Sequence, residues 1–167
     1  MPSPPYSRDV TASRHQVDIL VDSAFVHRVD VDALERCVQA TLGSRRLRIA
    51  RVVSVRVTDS RTVRRLNRRF RGEDSATDVL SFNTDFDGLR RPDGAADLGE
   101  IVIAVPVAAR GARERGRTLA EELALLVVHG TLHLLGFDHE QPDEDARMKQ
   151  MELVALGRAG LASAART

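Results

Sequence analysis

The sequence predicts one α+β domain: a mixed sheet of about four strands, several helices, and a central buried helix that carries a cluster of histidines. Three observations predict it. Segments with the two-residue hydrophobic period of strands interleave with segments whose apolar residues recur at the helical spacing of three and four. The 167 residues suit a single core and contain no internal repeat. With 43% hydrophobic and 29% charged residues, the composition is that of a globular chain rather than a disordered or fibrous one.

The elements follow in order. Residues 1–13, with three prolines, are expected to form a disordered lead; the folded domain is expected over 14–157 and a frayed tail over 158–167. Val17, Ile19 and Val21 alternate as in a short strand, and a turn-rich stretch follows. Asp32 and Glu35 form a helix start signal. Val31, Leu34, Val38 and Leu42 then share one helical face and Gly43 supplies the stop. Val53, Val55 and Val57 alternate with polar residues in a second strand, and Thr58 or Asp59 caps a helix over 60–70. Residues 77–82 and 98–105 read as two strands of a hairpin joined by a long Gly/Pro/Asp loop. Pro106 opens a short helix that Gly111 and Gly116 weaken. Thr118 and Glu121 form a capping box for the central helix over 119–135, apolar on nearly every face. Pro142, the acids at 143–145, and Met148, Met151 and Ala155 mark a last helix ending near Gly157.

Several classes are excluded. The longest apolar run, 101–109, has nine residues and contains Pro106, whereas a bilayer span needs about 20. The lead has no apolar stretch resembling the middle of a secretory signal, so the protein is expected in the cytoplasm, away from membranes. Cys37 is the only cysteine, which leaves histidines and carboxylates as candidate metal ligands.

The net charge of +1 conceals an uneven distribution. Eleven arginines lie between residues 45 and 71 against one acid, Asp59, a formal +10. Arg61, Arg64, Arg65, Arg68 and Arg69 fall on the polar faces of the second helix, where they suit an RNA backbone or simply a solvated surface. The aromatic residues, Tyr6 and five phenylalanines, are too few to support a base-stacking platform, most of the phenylalanines being expected in the core.

Three of the five histidines, His129, His133 and His139, fall within eleven residues. Positions four apart on a helix share a face about 6 Å apart, so His129 and His133 aim at one point. Gly136 favours the left-handed turn that ends a helix and would bring His139 back toward them. Three imidazoles with a fourth position left to water describe a catalytic zinc site; nickel is an alternative occupant. Two other readings stand beside it: rings packed without metal, or a structural zinc whose fourth ligand is Asp138, Glu140 or another carboxylate. Asp138 would otherwise orient a ligand imidazole or simply face solvent. The spacing is also that of metzincin proteases, but their general-base glutamate is replaced here by Gly130, which disfavours a peptidase.

A second run, N-R-R-F-R-G-E-D-S-A-T-D-V-L-S-F over 67–82, joins the basic helix to a strand, and L-G-E-I follows at 98–101. With the histidine run and a helix bearing Met148 and Glu152, these segments resemble the YbeY family of bacterial endoribonucleases. The resemblance spans about 66–152. It departs from the family pattern at Ala76, Asn83, Glu100 and Phe137, none of them a presumed ligand, and the first 60 residues match only in general character.

The resemblance implies a metal-dependent, single-strand-specific endoribonuclease that matures ribosomal RNA, notably at the small-subunit 3′ end, and acts in ribosome quality control. Its partners would be ribosomal RNA and the small subunit or associated proteins. It also implies Arg71 as the catalytic arginine, one whose fixed pair of donors would stabilise charge on a phosphodiester under attack. Alternatively Arg71 caps its helix or pairs with Glu73 or Asp74. A noncatalytic ribosome-associated module with a structural metal remains the other alternative to an enzyme.

Overall fold

A computed structural model describes residues 15–84, 91–138 and 140–165. The expected lead, His139, part of the loop before residue 91 and the last two residues lie outside these. The chain forms β1 (Gln16–Val21), α1 (Val31–Gly43), β2 (Arg51–Thr58), α2 (Ser60–Arg71), β3 (Val79–Asn83), β4 (Ala96–Ala104), α3 (Val105–Glu114), α4 (Leu119–Leu134) and α5 (Pro142–Arg158). The four strands make one mixed sheet in the order β1-β2-β4-β3. β1 and β4 flank β2 in parallel, while β3 pairs antiparallel with β4 and forms an edge.

One face of the sheet, with Val53, Val55, Val57, Ile101 and Ile103, builds the main core with α1, α4 and α5. The opposite face carries a smaller cluster of Val63, Leu80, Val102 and Ala104 under α2 and α3. Alternation along each strand sorts the side chains between the two layers. In β4 the register slips at Leu98, and Gly99 adopts φ +148° where a side chain would run into the carbonyl oxygen of Phe82 and Leu134. This bulge is why a glycine stands in the L-G-E-I segment.

Three local expectations are corrected. The start of α1 is Asp30, not Asp32: its extended backbone lies just outside the helix, so its carboxylate accepts from the Ala33 N–H at 2.9 Å. Val31, placed on the buried face by periodicity, is exposed in the first turn. The tail expected to fray from 158 is packed as far as 165, because Ala159 and Ala164 are buried and Ala162–Ala165 forms a 3₁₀ turn. Asp59, by contrast, caps α2 as read, and the Thr118–Glu121 capping box opens α4.

Candidate active site

The site is built where α4 ends against the edge of the sheet. Among the buried residues of α4, Leu123, Val127, Val128 and Leu132 anchor it in the main core, which sets its rotation. Gly130 faces β4 at close range: a Cβ there would meet Ile101 Cγ2 at 2.9 Å and Ser81 Oγ at 3.1 Å. Position 130 therefore has no room for the glutamate of a protease helix. The helix stops as its glycine suggests. Gly136 takes φ +91°, its N–H bonds the His133 carbonyl at 2.9 Å, and the Phe137 N–H bonds the Leu132 carbonyl at 3.0 Å.

His129 and His133 project from successive turns with their Nε2 atoms 3.0 Å apart. On the far side of the His129 ring, Nδ1 lies 2.7 Å from Glu152 Oε1 on α5. A carboxylate accepts but does not donate, so Nδ1–H is the donor and, in the neutral ring, the lone pair sits on Nε2, facing His133. Two nitrogens about 2.0–2.1 Å from one tetrahedral zinc stand roughly 3.3 Å apart. The observed 3.0 Å is close to that span and is also the length of a hydrogen bond between the two rings, and the carbonyl-rich end of α4 favours positive charge there. Among the described residues no group of three metal-ligating side chains is assembled. His139, the third expected ligand, lies outside them.

Both rings open onto a cleft of about 570 Å³ that Arg71 also lines. Thr77, Val79, Ser81 and Asn83, alternate residues of β3 and its approach, form one wall, and Gly136, Phe137 and Asp138 another. Arg71 reaches this cleft from the last turn of α2, and two of the other roles open to it are filled by neighbours. Gly72, at φ +74°, caps the helix through its own N–H, and Asp74 is held by Arg64 Nε and Nη2 at 2.8 and 2.9 Å. Among the described residues Arg71 makes no ion pair.

A family model described as Endoribonuclease YbeY matches residues 21–160. This chain belongs to the YbeY family. It is 42% identical over 148 residues to the Endoribonuclease YbeY of Roseiflexus castenholzii, covering 87% of this chain and 93% of that protein. The Endoribonuclease YbeY of Bordetella parapertussis is 52% identical over 99 residues, 59% of this chain and 60% of that relative. Among solved structures, the solution structure of TM1509 from Thermotoga maritima is 27% identical, with a TM-score of 0.52 over 91% of this chain and 97% of that one.

On this YbeY fold the other candidates scatter. Arg61 and Arg64 line a separate cavity with Ser60, Asp74, Ser75 and Ala76. Arg68 and Arg69 are exposed beside Arg71 in the last turn of α2. Asp138 is exposed on the cleft wall. Two residues given no role in the sequence reading belong with the site. One is Glu152; the other is Asp78, which accepts from the Val79 N–H at 2.8 Å and borders both the cleft and a more apolar cavity of about 560 Å³ behind His129. The only signal for Asp78 was its place in the T-D-V-L-S-F run. Glu152, 23 residues from His129 in sequence, had none beyond its place in the resemblance.

Proposed function

We propose that this chain, an endoribonuclease by its family, cuts single-stranded ribosomal RNA precursors with one divalent cation, zinc in the cell, held by His129, His133 and His139. The observation that carries this reading is the pair of Nε2 atoms 3.0 Å apart in the cleft that Arg71 enters. When bound, the cation supplies Lewis acidity, polarising a phosphoryl oxygen or making water nucleophilic near neutral pH. Glu152 holds the His129 ring in the tautomer a cation needs. Arg71 binds the scissile phosphate through two parallel N–H donors and stabilises the charge that grows during attack. Arg68 and Arg69 hold the flanking backbone without reading sequence. Work on the 3′ end of small-subunit RNA, with the small subunit or its proteins as partners, puts the enzyme's task in the cytoplasm.

Metal content and cleavage of a defined ribosomal precursor test this in parent, His133→Ala and Arg71→Ala. His133→Ala should lose both metal and cleavage. Arg71→Ala should keep fold and metal while cleavage falls about 10²–10³-fold, the loss typical of one charge-stabilising donor. Cleavage by Arg71→Ala at the parent rate would sink the role given to Arg71, and full metal content in His133→Ala would sink the ligand set.

A further inference from the structure

Most of the described phenylalanines pack against the core as expected, and one does not. Among the described residues Phe25, Phe82 and Phe137 are half-buried, and Phe70 is 58% exposed. Its helical stripe explains the position. Val63 on α2 is buried, Leu66 one turn on is half-buried, and Phe70, in the last turn of the helix, is left largely open. Phe70 instead meets Phe82 edge-on, with centroids 5.2 Å apart and planes at 60°. Phe82 alternates with Ser81 and Asn83, so it packs on the α2 side of the sheet, facing away from the cleft they line; the residue after Phe70, Arg71, enters that cleft. The Arg69 guanidinium lies 5.2 Å from the Phe70 ring centre.

We infer that Phe70 is a stacking platform for a base of the RNA strand, next to the phosphate that Arg71 holds. The inference rests on the proposed function and extends it to how single strands are engaged. An aromatic ring accepts any base face, so it gives affinity without sequence preference, and a paired base is already stacked and cannot be offered to it. The setting favours RNA over a protein partner. A protein hot spot is ringed by contacts that exclude water. Phe70 is flanked instead by Arg68, Arg69 and Arg71 in the last turn of α2.

Phe70→Leu keeps apolar bulk against Phe82 and removes the π face; Phe70→Trp enlarges the face and introduces the only tryptophan in the chain. The probe is a short single-stranded RNA that the metal-loaded parent cuts, and the same RNA with one abasic position. Phe70→Leu should keep its metal content and melting temperature while KM rises about 5- to 150-fold, the range that corresponds to one stacked base. Phe70→Trp should retain the parent KM, and its indole fluorescence should quench on mixing with RNA but less with the abasic strand. A parent KM in Phe70→Leu, or an indole signal in Phe70→Trp indifferent to RNA that the enzyme cuts, overturns this inference alone. A parent that neither binds nor cuts RNA overturns both it and the proposed function.

Discussion

Glu152 Oε1 lies 2.7 Å from His129 Nδ1, so a residue of α5 controls which nitrogen of a ring on α4 carries the proton. Both side chains are largely shielded from solvent, which makes the hydrogen bond an effective orienting device. If the histidines hold the proposed cation, Glu152→Ala should therefore weaken its binding about 10–100-fold with the fold intact, and Glu152→Gln, which keeps an acceptor, should lose less. Competition with a chromophoric chelator measures this. Parent affinity in Glu152→Ala would show that the ring is held without it.

The close approach of α4 to β4 makes Gly130 a packing requirement. Adding a methyl there should cost about 1–3 kcal/mol by overpacking. Alanine gains back only about 1 kcal/mol of helix propensity. Gly130→Ala should thus lower the melting temperature. Gly99→Ala should lower it further, because its obstacle is the Phe82 backbone and its φ of +148° disfavours any side chain. Thermal unfolding of the two variants ranks them, and a neutral Gly99→Ala would contradict the bulge.

His15 accepts the Arg51 N–H through Nδ1 at 3.0 Å, joining the start of β1 to β2. Burial, with the Arg51 charge second, holds its pKa below the ordinary 6.5. The folded state then binds fewer protons than the unfolded one, so stability is full above the ordinary value and drains away as pH falls through the lowered one. Between pH 7.5 and 5 the parent should lose more thermal stability than His15→Ala. Identical pH dependence in both would dismiss this contribution.

Cys37 is fully buried in the main core, and burial pushes its thiol up to about 11 against the opposing, smaller effect of the Arg36 charge. The thiolate is the reactive species. A disulfide reagent at pH 8 should leave the native thiol untouched and titrate one equivalent after denaturation; fast labelling of native protein would place Cys37 elsewhere.

The strands, the helices and their caps were legible in the sequence because they depend on neighbours a few residues apart. The valines of β2, the Thr118–Glu121 box and the Gly136 stop each declare themselves within one turn or one strand. So did the convergence of His129 and His133, since a helix of known pitch already dictates it. Asp30 was misread in favour of Asp32 because two acids two residues apart compete for one cap, and only backbone geometry separates them. The remaining features join residues distant along the chain. The Glu152 contact with His129, the lack of space at Gly130 beside Ile101, the entry of Arg71 into the histidine cleft and the exposure of Phe70 at the sheet edge all depend on how helices seat against strands. That seating follows from the volume and shape of the whole core, which no local pattern encodes.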